Sequence, residues 1–132
     1  MKVALLFFMT ALLVAGCTKT SNEQGILNGK YSGTFHREQG IGNKETANVS
    51  ITFSANTFSG VSEKPRYPAI CGGSYSVNSN QIRFANGCIW TADFDGTLIL
   101  DHDYSLRLNG DSVEIKREYA GQMTDIYKLK KE

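Results

Sequence analysis

The clearest alternation of apolar and polar positions lies within residues 71–88, which read CGGSYSVNSNQIRFANGC. Apolar side chains recur at every second position on either side of Ser79-Asn80, as expected for two β-strands joined by a two-residue turn. This pattern predicts a hairpin in which Val77 pairs with Ile82. Because side chains alternate between the two faces of a strand, one face of the hairpin would be apolar.

The same register brings two cysteines together at the base of the hairpin. It places Tyr75 opposite Phe84 and Cys71 opposite Cys88. Directly opposed Cβ atoms lie roughly 4.5–5.5 Å apart, and a modest local adjustment brings such a pair to disulfide geometry. We therefore predict a disulfide between Cys71 and Cys88, with two unlinked buried thiols as the alternative.

Similar alternation predicts strands along most of the chain. They cover residues 30–36, 45–54, 57–62, 97–100, 104–109 and 125–130, with one more through Val113 and Ile115. In this register Phe53 faces Phe58, and Leu98 faces Leu106 if residues 101–103 form a turn. The segments between strands predict loops at residues 37–45, 62–70 and 87–96, of which the second contains both prolines of the chain.

These strands predict an all-β fold. Sequential hairpins form a single antiparallel meander, and a meander of eight or nine strands removes its edges by closing into a small barrel. Seven rings are expected to point inward: Tyr31, Phe35, Phe53, Phe58, Tyr75, Phe84 and Tyr127. A barrel of about eight strands is only just wide enough for side chains to fill, so any cavity should be small.

The first sixteen residues have a different pattern. Lys2 precedes an apolar run from Val3 to Ala15, which is too short to cross a bilayer core of about 30 Å. A short apolar run after a basic residue at the amino terminus is typical of a signal peptide. We predict a signal peptide at residues 1–16, a tether at residues 17–26 and one domain at residues 27–132.

The end of the apolar run, Leu13-Val14-Ala15-Gly16-Cys17, resembles the lipobox of bacterial lipoproteins. The resemblance implies that the Cys17 thiol receives a diacylglyceryl group, that the signal is cleaved before Cys17, and that the new amino terminus is acylated, for example with palmitate. An ordinary secretory signal is the alternative. Because Thr18, and not Asp, follows the cysteine, the resemblance to enterobacterial sorting favours the outer membrane, with the periplasmic side and the cell surface both open.

The strand rhythm of residues 27–131 is similar to that of small lipocalin-like barrels. Asn28-Gly29-Lys30-Tyr31 stands where lipocalins have Gly-x-Trp at the start of the first strand, with Tyr31 in place of the tryptophan. The resemblance implies a barrel architecture only. Some bacterial protease inhibitors are also small periplasmic barrels with a disulfide, and this chain resembles them in size and in its cysteine pair.

Charge and composition narrow the classes of partner. Without the single lysine of the signal peptide, the chain has 13 basic and 13 acidic side chains out of the 14 and 13 in the full sequence. A neutral chain without a basic run lacks the electrostatic pattern of a nucleic-acid-binding protein.

Few residues suggest catalysis or metal binding. The two histidines, His36 and His102, have no second metal ligand at suitable spacing, so we predict no metal site at either. No nucleophile elbow or phosphate-binding glycine loop is present, so we predict neither enzymatic activity nor a cofactor. The densest acidic cluster does not have the spacing of an EF-hand, so we interpret it as solvated turn residues, with a calcium site as the alternative: Asp93, Asp95, Asp101 and Asp103.

Three aromatic residues are candidates for binding. Trp90 is either a lid residue that packs on the disulfide or, with Tyr67 and Phe94, an anchor at the mouth of the barrel. We expect a non-catalytic, lipid-anchored envelope protein that binds a small apolar ligand or another protein through its loops. The alternative is a protein that resembles the periplasmic protease inhibitors.

Overall fold

A computed structural model describes residues 27–42 and 44–132. The predictions of a signal peptide, a tether and lipidation at Cys17 lie outside the described residues. Within them, consecutive strands pair in antiparallel fashion and the last pairs with the first, so the sheet closes. The predicted all-β meander and barrel are confirmed, with eight strands in the described part: β1 (Gly29–Gln39), β2 (Thr46–Ser54), β3 (Thr57–Ser62), β4 (Gly72–Asn78), β5 (Gln81–Asn86), β6 (His102–Asn109), β7 (Ser112–Tyr119) and β8 (Met123–Lys131).

The predicted hairpin register is confirmed. Val77 pairs with Ile82 and Tyr75 with Phe84 in the β4–β5 ladder. The disulfide between Cys71 and Cys88 is present, with 6.3 Å between the two Cα atoms. Apolar alternation and cysteine spacing therefore selected the correct pairing of these two strands.

Two predicted boundaries were wrong. Residues 37–39 belong to β1 and not to a loop, because their backbone continues the ladder with β8, where Arg37 pairs with Asp125. Residues 97–100 are not a strand: a 3₁₀ turn occupies Gly96–Leu98, and the Asp95 side chain caps it by accepting the Thr97 N–H at 2.9 Å.

The turn predicted at residues 101–103 was also wrong. His102 and Asp103 already belong to β6, where His102 pairs with Phe84 of β5. Leu98 therefore does not face Leu106, which pairs with Ile115 as the next predicted turn requires.

Aromatic rings fill the core of the barrel. The seven rings predicted to point inward are all buried, and Tyr104 joins them. Ring contacts with centroids between 4.8 and 6.4 Å apart run continuously through the interior, in the order Tyr31, Phe53, Phe84, Tyr104, Tyr127, Phe35 and Tyr67. Along this path protein side chains occupy the space that a ligand would need.

The two ends of the barrel differ. The turn end has two-residue turns at residues 55–56, 79–80 and 110–111. The described chain also enters there, where the buried Leu27 accepts a hydrogen bond of 2.6 Å from the Tyr75 hydroxyl to its carbonyl oxygen. The loop end has the longer connections at residues 40–45, 63–71, 87–101 and 120–122. No helix in the described ranges is both long and apolar enough to cross a membrane.

Candidate functional site

Two connections at the loop end join to form a lid, which we define as residues 63–71 and 87–101. The Ala69 N–H donates to the Leu98 carbonyl oxygen, and the Leu100 N–H donates to the Ala69 carbonyl oxygen, both at 3.0 Å. The disulfide between Cys71 and Cys88 links the same two segments. The lid is therefore fixed by backbone hydrogen bonds and by a covalent bond.

A buried ion pair lies beneath the lid. Arg37 and Asp125 point inward from neighbouring strands and are 7% and 1% exposed. The carboxylate of Asp125 receives two hydrogen bonds from the guanidinium, at 2.6 and 2.7 Å. Tyr119 donates a further hydrogen bond of 3.0 Å to the same carboxylate. Bidentate geometry of this kind is strong and directional.

All five N–H groups of Arg37 are engaged. Besides its two bonds to Asp125, the guanidinium donates to Asp95 at 2.9 Å, to the Thr97 hydroxyl at 3.0 Å and to the Thr97 carbonyl oxygen at 3.2 Å. A guanidinium has five donors in total. Arg37 therefore has no donor left for a ligand, and it ties the lid to the barrel wall.

Electrostatics keep the Arg37 guanidinium charged. Burial opposes the charge on Arg37, yet the hydrogen bonds and the negative charge of Asp125 outweigh burial and raise the pKa of Arg37 above its ordinary value. The hydrogen bonds that Asp95 accepts from Thr97 lower the pKa of Asp95. The Arg37 guanidinium therefore keeps its charge beneath the lid.

Tyr67 of the lid points inward. Its ring packs edge-on against Phe35, with centroids 5.2 Å apart. Its hydroxyl donates to the Glu45 carbonyl oxygen at 3.0 Å and accepts a hydrogen bond from the backbone N–H of Arg37 at 3.4 Å. Tyr67 thus belongs to the underside of the lid, and its hydroxyl is occupied by backbone groups.

Trp90 and Phe94 lie together on the lid. Their ring centroids are 5.8 Å apart in an edge-on contact, and both side chains are half-buried. The Trp90 indole N–H donates to the Asn86 side-chain oxygen at 3.3 Å. The guanidinium of Arg66 lies 5.2 Å from the centre of the Phe94 ring. The structure therefore brings Trp90 and Phe94 together on the lid, whereas Tyr67, the third aromatic candidate, points inward beneath the lid.

An exposed apolar residue precedes the aromatic pair in the chain. Ile89, which precedes Trp90, is fully exposed at 100%. Asp93 pairs with Arg66 at 2.8 Å, and hydrogen bonds from Thr91 and Arg66 lower the pKa of Asp93 to about 2. We call Ile89, Trp90 and Phe94 the lid patch. It is an apolar surface bordered by a charged pair, the usual composition of a protein contact site.

The four aspartates considered for calcium do not converge. Asp93 pairs with Arg66, Asp95 with Arg37 and Asp103 with Arg83. Asp101 accepts the Asn86 N–H at 3.0 Å. No group of three or more His, Cys, Asp or Glu side chains within the described ranges is positioned to hold a metal ion.

Sequence reasoning missed the buried ion pair. Arg37 continues the inward series of Tyr31, Gly33 and Phe35, and Asp125 precedes the inward Tyr127 at the same two-residue spacing. A charged residue in phase with an apolar face was the available signal. This signal can be interpreted only when it is known that β1 pairs with β8.

Comparisons with protein-family models, with curated proteins and with solved structures found no match to this chain.

Proposed function

We propose that this chain is a lipid-anchored, non-catalytic protein of the cell envelope that binds a partner protein with its lid patch. The single observation that carries the proposal is the contact between Trp90 and Phe94 beside the fully exposed Ile89, on a lid held by a disulfide. Rigid aromatic side chains on a preorganised surface lose little conformational entropy on binding.

The filled interior favours a protein partner over a small apolar ligand. Ring contacts from Tyr31 to Tyr67 occupy the path through the barrel. The buried ion pair of Arg37 and Asp125 lies beneath the lid with its donors engaged. A partner that binds the outside of the lid needs neither an internal cavity nor a change in this cluster.

The position of the proposed anchor also supports a protein partner at the lid patch. The described chain enters the barrel at the turn end, where Leu27 is buried, and Cys17 precedes Leu27 by ten residues. The lid patch lies at the opposite end. A lipid on Cys17, carried over from the lipobox resemblance, would therefore leave the lid patch facing away from the anchoring membrane. The resemblance to lipocalin-like barrels in architecture and the sorting to the outer membrane remain part of this proposal.

Photocross-linking in intact cells tests the proposed partner. A photoreactive amino acid at position 89 should capture a discrete protein, whereas the same probe at Val61, which is 66% exposed on the barrel wall, should not. Because interface aromatic residues often contribute 2 kcal/mol or more, Trp90→Ala should reduce the yield of the position-89 adduct by roughly 30-fold. Identical adducts at both positions, or an adduct insensitive to Trp90→Ala, would contradict the proposal.

Two further measurements separate the parts of the proposal. Labelled fatty acid should appear on the wild-type chain and not on Cys17→Ala, and equal labelling of both would refute the anchor. Mass spectrometry of the position-89 adduct then identifies the class of partner. A captured protease that the purified chain inhibits would favour the resemblance to periplasmic protease inhibitors over a passive binding role.

A further inference from the structure

The lysines of the described chain divide into two groups. Four of the seven pair with a carboxylate within 3.0 Å: Lys30, Lys44, Lys64 and Lys116. The remaining three, Lys128, Lys130 and Lys131, have no carboxylate partner within 4.0 Å in the described structure, and all three are exposed on β8. The lysines without a carboxylate partner in the described structure are therefore concentrated on one strand.

Two of these lysines border a groove on the outer wall, across strands β1, β8, β7 and β6. The groove encloses about 460 Å³ and has three cationic side chains, one carboxylate and two hydroxyl groups among its lining residues: Arg107, Lys128, Lys130, Glu114, Ser32 and Ser112. The carboxylate of Glu114 lies 4.0 Å from Arg107 and is the only acid in the lining. The Ser32 hydroxyl donates to Glu132, so the ammonium and guanidinium groups and the Ser112 hydroxyl are the donors suited to phosphate oxygens.

The groove lies towards the turn end. Lys130 pairs with Ser32 near the start of β1 and with Ser112 at the start of β7, and Lys131 pairs with Tyr31. Ten residues separate Leu27 at this end from Cys17, which limits the distance to the anchor to about 35 Å even for an extended chain. The unpaired lysines are thus on the part of the barrel that a lipidated Cys17 would hold near the membrane.

We propose that the groove and Lys131 bind the phosphate headgroups of anionic phospholipids in the anchoring membrane. This inference rests on the proposed lipid anchor. A basic surface beside a lipid anchor adds attraction to anionic headgroups. The same contact would orient the barrel with its lid directed away from the bilayer.

Vesicle sedimentation tests the inference without the acyl chains. The cleaved chain from residue 17 onward, carrying Cys17→Ser, should bind phosphatidylcholine vesicles that contain phosphatidylglycerol and should not bind phosphatidylcholine alone. Because a lysine near an anionic surface contributes about fivefold to binding, the double variant Lys128→Gln, Lys130→Gln should bind roughly 25-fold more weakly. Binding should also fall as salt concentration rises.

A matched variant distinguishes the groove from general charge attraction. The double variant Lys44→Gln, Lys64→Gln removes the same charge from the loop end and should leave vesicle binding unchanged. The melting temperatures of both double variants should match that of the wild type, because all four side chains are exposed or form surface pairs. Equal loss of binding in the two double variants would overturn the inference. So would absence of binding to vesicles that contain phosphatidylglycerol. None of these outcomes bears on fatty-acid labelling of Cys17, which tests the anchor separately.

Discussion

At the turn end the chain makes three separate turns of two residues each. At the loop end, by contrast, fifteen residues connect β5 to β6. Tight turns keep neighbouring strands hydrogen-bonded to their last residue, so the turn end is held by the sheet itself. The long loops continue beyond the ladder and cannot rely on it. Their attachment depends on the buried ion pair of Arg37 and Asp125 and on the disulfide between Cys71 and Cys88.

This difference shows where polar groups contribute most. The buried side chains that carry charge, Arg37 and Asp125, meet beneath the lid. The corresponding pair at the turn end, Lys30 with Glu132, is 53% and 47% exposed. A buried pair that loses one partner leaves an uncompensated charge, while an exposed pair contributes little. The two ends should therefore respond very differently to substitution.

The largest expected effect is at the buried pair. Arg37→Met should lower the free energy of unfolding by about 3–5 kcal/mol, because Asp125 would remain buried without a counter-charge. Urea denaturation measures the loss. Lys30→Met, which breaks the exposed pair at the turn end, should cost no more than about 1 kcal/mol. Equal losses in the two variants would show that the two ends do not differ as described.

Removal of the disulfide should follow in size. The bond spans 17 residues in sequence, and opening a loop of that length should destabilise the barrel by roughly 3 kcal/mol. Compared with the wild type, the Cys71→Ser, Cys88→Ser variant should show a larger acceleration of amide hydrogen exchange in the lid than in the turns at residues 55–56 and 110–111. Uniform acceleration of exchange along the chain would contradict a local role for the bond.

High pH should weaken the core. Burial raises the pKa of Tyr104 and of Tyr127 above the ordinary value near 10. Above pH 10 the folded state holds protons that the unfolded state has released. The contribution of these two tyrosines to the free energy of unfolding is therefore complete below pH 10 and decreases as the pH rises above it. Tyr104→Phe should reduce this alkaline loss. Thermal melts between pH 8 and 11 measure it, and an unchanged slope in the variant would exclude Tyr104 as a contributor.

The smallest predicted effect lies at the turn end. Ala55 occupies the first position of its two-residue turn with φ of +54°, a conformation that costs an L-residue about 1–2 kcal/mol. Ala55→Gly relieves this strain but adds freedom to the unfolded chain, for a net gain of about 0.5 kcal/mol. Chemical denaturation should detect a small rise in midpoint. A lower midpoint would mean that the turn gains more from the alanine methyl group than it loses in strain.

The parts of the fold that sequence predicted are those fixed by neighbours in the chain. Tyr75 faces Phe84 because alternation, turn position and cysteine spacing all require it. The extent of β1 beyond His36 and the pairing of Arg37 with Asp125 depend on a strand 88 residues away, so no local pattern could specify them.

The lid was the least predictable part of the candidate site. A strand was expected at residues 97–100, but Asp95 turns the backbone there and Ala69 binds the residues that follow. Trp90 and Phe94 lie together on the lid, whereas Tyr67 points inward onto Phe35. Orientation of loop side chains follows from contacts between distant segments, which alternation does not encode.

Closure between β1 and β8 has a consequence for how the domain is made. Every other seam of the sheet joins strands that are consecutive in the chain, but this seam joins the first strand to the last. Hairpins can form as soon as their residues are available, while this seam must await residues 123–131. A nascent chain that lacks β8 exposes two unpaired strand edges and a bare aromatic interior, which makes that interval the period of greatest susceptibility to aggregation and proteolysis.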